Sequence, residues 1–86
     1  MSTLAEKVLY ETTATKVTFT NDFLCLYLVD GREIRVPLEF YPRLKKATKE
    51  QRQKYEIIGA GTGIHWPEID EDLSVEGIIE GRPSRF

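Results

Sequence analysis

The chain carries a single cysteine, Cys25, in 86 residues. No internal disulfide can form, and a thiol between Leu24 and Leu26 reads as a packed structural side chain. A reactive thiolate would want positive charge beside it. Long apolar runs are also missing: the longest, Phe23–Val29, has seven residues, against the ~20 that a membrane span requires. Met1–Tyr10 has no apolar core of the signal-peptide kind, and Glu6 and Lys7 interrupt it. Absent export signal and absent disulfides together predict a reducing, cytoplasmic setting. Repeats, low-complexity tracts and linkers are absent as well, so the expectation is one domain.

What is present is the ordinary composition of a small globular protein, 41% hydrophobic and 30% charged. A chain of this size buries only ~60–65% of its unfolded surface, so a thin core is expected and a deep enclosed cavity is not. The net charge of −2 hides a division along the chain. Arg43–Lys54 holds six basic residues and one acid, Glu50, whereas Tyr55–Gly81 holds seven acids and neither Lys nor Arg. Two solvated faces that attract one another would account for this, and so would a docking surface for a charged partner. The basic stretch lacks interleaved aromatics and the pI is about 5.4, which argues against direct nucleic-acid binding.

The patterning predicts an α+β fold: a three-stranded antiparallel meander, a helix, a short strand pair and a short C-terminal helix. Residues 1–13 read as a loose lead or an edge strand around Lys7–Tyr10, residues 14–81 as the domain, and residues 82–86 as a frayed tail. Lys16–Thr20 and Arg32–Val36 alternate, and Phe23–Val29 is apolar throughout, as in a strand covered on both faces. Asp30-Gly31 is a strong hairpin signal. As a two-residue turn it pairs Val29 with Arg32, Tyr27 with Ile34 and Cys25 with Val36, and gathers Cys25, Tyr27, Val29, Ile34 and Val36 on one face. A two-residue Asn21-Asp22 loop would set Val17 and Phe19 opposite Leu26 and Leu24 on the other face. The three-residue loop is favoured because it puts them on that same face, leaving Leu24, Leu26 and Leu28 to be covered by a helix or by a second copy of the chain. Pro37 ends the meander. Leu38–Leu44 reads as one helical turn broken by Pro42. Thr48 with Gln51 forms a capping box that starts a helix running to about Tyr55. Residues 56–66 read as a strand, a glycine bend and a second short strand, and Ser74 caps a helix over Val75–Glu80 that Gly81 ends.

Three constellations bear on chemistry. Gly59-Ala60-Gly61-Thr62-Gly63 resembles a phosphate loop, but no Lys-Ser/Thr follows and Pro67 stands where a helix should begin. Tight bending explains these glycines. His65 with Glu68, Asp70, Glu71 and Asp72 could hold a divalent cation, although the spacing fits no zinc motif and no calcium loop. A small metal-dependent enzyme or metal-binding protein built on these groups is therefore an alternative, without a complete catalytic set. Trp66, Pro67, Glu68, Glu71 and Asp72 form the candidate partner-binding segment, and Asp30, Gly31, Asp70 and Ser74 are the candidate structural residues. Asp70 is expected to accept backbone N–H bonds, and Asp72 to favour the positive end of the final helix.

Asp30-Gly31-Arg32, Val36-Pro37-Leu38, Tyr41-Pro42-Arg43-Leu44, Ala47-Thr48, Gln51-Arg52 and the run Gly63–Val75 resemble the bacterial domain of unknown function 2442, over roughly residues 14–81. The resemblance implies a small α+β unit, found alone or fused to a helix-turn-helix domain. Such units are often encoded beside another small uncharacterised domain, in an arrangement similar to toxin–antitoxin pairs. It supplies no catalytic residues and no cofactor. The expectation is a non-enzymatic, antitoxin-like or regulatory interaction domain with a small protein partner; a transcription-associated accessory domain is a further alternative.

Overall fold

A computed structural model describes residues 13–84; of the lead expected over residues 1–13, all but Thr13 lies outside the described residues, and with it the edge strand around Lys7–Tyr10. Two three-stranded antiparallel sheets carry the fold. The first is a meander of β1 (Ala14–Phe19), β2 (Phe23–Leu28) and β3 (Glu33–Pro37), with β2 in the middle. The second is formed by β4 (Glu56–Ile58), β5 (Gly63–Trp66) and β6 (Glu71–Ser74), with β5 in the middle. Between the sheets in sequence lie a 3₁₀ turn, Leu38–Phe40, and two short helices, α1 (Pro42–Lys46) and α2 (Lys49–Gln53). Helix α3 (Val75–Glu80) follows β6 directly. The α+β meander is as the patterning predicts, but its register is not.

Both hairpin turns differ in length from the expectation. Thr20 N donates to Phe23 O at 2.9 Å, which leaves a two-residue Asn21-Asp22 turn and sets Val17 opposite Leu26 and Phe19 opposite Leu24. At the second turn Leu28 N donates to Arg32 O at 2.9 Å and Gly31 N to Leu28 O at 3.0 Å, so three residues, Val29 to Gly31, form the loop. Gly31 sits at φ 95°, the left-handed position that a type I turn with a following bulge gives to glycine. Asp30 Oδ1 accepts from Arg32 N at 3.0 Å and locks the turn. The extra loop residue shifts the pairing to Leu24 with Val36 and Leu26 with Ile34. A one-residue slip moves every side chain to the other face. Leu24, Leu26 and Leu28 are therefore the core face, and Val29 is 54% exposed.

That core answers what covers the leucines. One cluster joins Leu24, Leu26, Leu28 and Val36 of the first sheet with Leu38, Tyr41 and Leu44 of the connecting turns, Ile64 and Trp66 of β5, and Val75 and Ile78 of α3. The leucine face is buried inside a single chain and offers no surface for self-association. On the opposite face Cys25 is buried too. Beside it the Arg35 guanidinium lies 5.6 Å from the Phe23 ring centroid and Lys16 Nζ 4.7 Å from that of Tyr27. Long cationic side chains thus cover part of the apolar surface on this face.

Pro42 opens α1 rather than breaking a turn, because at the first helical position its missing N–H would have had no partner anyway. The Thr48 capping box forms, with Gln51 N donating to Thr48 Oγ1 at 3.1 Å and Thr48 N to Gln51 Oε1 at 3.0 Å. Ser74 caps α3 through Gly77 N at 2.9 Å, and Gly81 ends that helix in the left-handed conformation at φ 71°. The expected strand pair gains a third member, β6. Ser84 N donates to Phe40 O at 2.8 Å, so the described part of the C-terminal segment is tied back to the turn after β3 rather than frayed.

Candidate functional site

The second sheet divides the predicted site residues between two faces. Ile57, Ile64, Trp66, Glu71 and Leu73 alternate onto the inner face, and Glu56, His65, Asp72 and Ser74 onto the outer one. Trp66 is wholly buried. Its Nε1 donates to Arg52 O at 3.0 Å, and its ring meets those of Phe19 and Tyr55 at centroid distances of 6.3 and 6.4 Å. Trp66 is thus a core anchor whose polar handle is satisfied by the backbone. Of the candidate partner-binding residues, Trp66 and Glu71, which is 3% exposed, are thus buried, and Pro67, Glu68 and Asp72 are at the surface.

On the outer face the strand register aligns Glu56 of β4, His65 of β5 and Asp72 of β6. His65 Nδ1 donates to Asp72 Oδ1 at 2.6 Å. An ionised carboxylate only accepts, so this bond assigns the ring proton to Nδ1. Asp72 thereby takes a cross-strand role rather than the helix-end role expected for it. Glu68 pairs with Lys54, Oε2 to Nζ at 2.9 Å, across the junction between the acidic and basic stretches. Between Trp66 and β6 the chain turns over residues 67–70, and Asp70 adopts φ 53° there. Its carbonyl accepts from Arg43 Nη1 at 2.6 Å. The structural role expected of Asp70 thus runs through its backbone rather than through carboxylate bonds to N–H groups.

Glu71 is the residue whose importance the sequence pattern concealed. It stands opposite Trp66, and its Oε1 accepts from Asp72 N at 3.2 Å. Its Oε2 and the hydroxyl of Tyr41 are both buried, and neither has a hydrogen-bond partner among the described residues. Burial pushes the Glu71 carboxyl above its ordinary range, against the Asp72 backbone bond and the nearby Arg43 charge. Burial, with the Glu71 charge beside it, pushes the Tyr41 phenol up to about 12. Both groups line an open cleft of about 620 Å³ between β6, α3 and residues 82–84.

The proposed metal donors do not converge. Only His65 and Asp72 meet; Glu71 lies on the other face of the sheet, Glu68 is turned to Lys54, and Asp70 sits in the turn. Among the described residues no group of three or more His, Cys, Asp and Glu side chains is arranged to hold a metal ion. Asp30 and Ser74 occupy the turn and cap positions expected of them. Sequence reasoning missed Glu56 and Tyr41; the signal for Glu56 was its place opposite His65 once the two strands were paired through the glycine bend.

Among the described residues, two small antiparallel sheets and three short helices define an α+β domain. The chain belongs to the family described as "Protein of unknown function (DUF2442)", whose pattern matches residues 14–84. It is similar to a crystal structure of a protein of unknown function from Rhodospirillum rubrum, with a TM-score of 0.72 and 28% identity over 84% of this chain and 89% of that one. It shares its fold with an uncharacterized protein from Chromobacterium violaceum solved by NMR, with a TM-score of 0.71 and 22% identity over 98% of this chain and 83% of that one. No functionally curated protein matches. Among the described residues no helix is long and apolar enough to cross a membrane.

Proposed function

We propose that this chain is a non-enzymatic protein-interaction domain, the antitoxin-like or regulatory member of a two-protein module. The observation that carries this reading is surface charge. Of the seven acids between Tyr55 and Gly81, six are exposed, Glu71 being the exception. Glu56 and Asp72 stand on either side of His65 across the outer face of the second sheet. An acidic plate on a rigid sheet suits a basic groove on a small protein, and complementary charge of this kind accelerates encounter. The antitoxin-like form of the reading draws on the resemblance, whose members are often encoded beside a second small domain.

The test is a triple variant, Glu56→Ser, Glu68→Ser and Asp72→Ser, measured against the purified product of the adjacent gene. All three side chains are at the surface, and exposed ion pairs such as Lys54–Glu68 contribute only ~0–1 kcal/mol. The melting temperature should stay nearly unchanged. Affinity should fall by ~10-fold or more, chiefly through slower association, and the difference should shrink at high salt. A folded triple variant that binds as tightly as the parent would exclude the acidic plate as the docking surface.

A further inference from the structure

Among the described residues β1 is an edge strand, and they do not close its outer side along its whole length. The backbone bond from Thr20 N to Phe23 O sets the alternation of the ladder. Lys16, Thr18 and Thr20 turn their backbone groups toward β2, and Val17 and Phe19 turn theirs outward. Val17 N is taken by the Tyr55 hydroxyl at 3.1 Å. Two residues further on, no described residue takes the N–H or C=O of Phe19. At that point the strand borders a groove of about 430 Å³. One wall is the continuous run from Val17 to Asn21, and the other is made by Lys49, Arg52, Gln53 and Tyr55.

We propose that this groove receives an extended acidic peptide segment of a protein partner, which adds as a strand beside Phe19 and sets a carboxylate against Lys49. An edge with outward backbone groups takes a strand by main-chain hydrogen bonds, and side-chain contacts then select among sequences. The selecting charge here is positive. Lys49 is exposed and makes no ion pair among the described residues. Arg52 lies 5.7 Å from the Phe19 ring centroid and adds its charge to the floor of the groove.

A nucleic-acid strand fits the same surface less well. It has no peptide N–H and C=O groups to pair with those of Phe19, whereas an extended peptide carries both. The proposal rests on the domain being a protein binder, but on a surface separate from the acidic plate, so the two readings fail independently.

The probe is a hexapeptide of alternating valine and glutamate with blocked ends, titrated into the labelled full chain and followed by backbone amide shifts and exchange. Shifts should centre on Thr18–Asn21 and Lys49–Gln53, and exchange of the Phe19 amide should slow at least tenfold at saturation. A valine–lysine peptide should bind at least tenfold more weakly. Lys49→Glu should weaken the glutamate peptide about five- to tenfold. That variant should fold, since an acid at the first position of α2 suits the helix dipole. Lys46→Glu, outside the groove, should bind like the parent. Three results would overturn the proposal: no shifts at millimolar peptide, equal affinity for both peptides, or the same amides responding to an oligothymidylate and not to the acidic peptide. A Phe19 amide already protected in the free protein by the chain's own residues would overturn it as well.

Discussion

The indole N–H of Trp66 donates to the backbone carbonyl of Arg52, and the side chain of that same Arg52 holds the carbonyls of Leu44 and Lys45. One residue therefore ties the end of α1 to α2 and α2 to the middle of the second sheet. The basic helices are held by their backbone to the core anchor, while most of their charges stay outside.

Trp66→Phe retains an aromatic core residue and strands the Arg52 carbonyl. Its expected loss is ~1–3 kcal/mol, the penalty of a buried acceptor left unpaired. Trp66→Ala removes the ring as well and should lose ~3–5 kcal/mol, a large part of the ~5–15 kcal/mol typical of a small domain. Urea unfolding of both variants checks the order. A Trp66→Phe variant as stable as the parent would mean that the hydrogen bond contributes nothing beyond packing, and equal losses would mean that the ring adds nothing beyond the bond.

Glu71 gives the fold a pH dependence of definite sign. Its folded carboxyl is held above the ordinary value of 4.5 by burial, so the ionised form is disfavoured in the folded state. Above the folded value Glu71 weakens the fold. As pH falls through that value toward 4.5, the folded state takes up its proton first and stability is regained. Glu71→Gln imitates the protonated form. The variant should exceed the parent in urea midpoint at pH 7, and the difference should close on acidification over that interval. A difference that widens toward acid would reverse the assignment.

The glycine bend is a packing requirement. Gly59, Ala60 and Gly61 all have positive φ, at 59°, 55° and 94°. A Cβ on Gly61 would lie 2.7 Å from Thr13 Cβ and 3.3 Å from Ala14 O. Gly61→Ala should therefore lose ~2–3 kcal/mol, from left-handed strain and the clash with the start of β1. Ala60→Gly removes strain at an exposed position and should leave stability equal or raise it by up to ~1 kcal/mol. Thermal melts of the pair test this; a stable Gly61→Ala would show that the β1 contact yields.

Local chemistry was legible wherever a residue type has one dominant use. Thr48 with Gln51, Ser74 and Gly81 form the caps expected of them, because those side chains satisfy orphan N–H groups or tolerate φ > 0 without help from distant residues. β6 was hidden because Glu71, Asp72 and Ser74 are weak strand formers. Only pairing with β5, Ile64 opposite Leu73 and Trp66 opposite Glu71, makes the segment extended; the neighbours override propensity.

The sequence by itself determined the α+β content, the order of the meander, the helix caps and the charge division between Arg43–Lys54 and Tyr55–Gly81. The tertiary structure alone decided which side of each strand faces inward. Phe23–Val29 is apolar at every position, so its pattern names no inner face, and the register passes to the loops. One residue fewer at Asn21-Asp22 and one more at Val29–Gly31 put the leucines in the core and Cys25 on the other side. The same holds for the site: Glu71 and Asp72 are adjacent acids in the chain, but a strand sends neighbours to opposite faces. One is therefore buried beside Tyr41, and the other is held at the surface by His65.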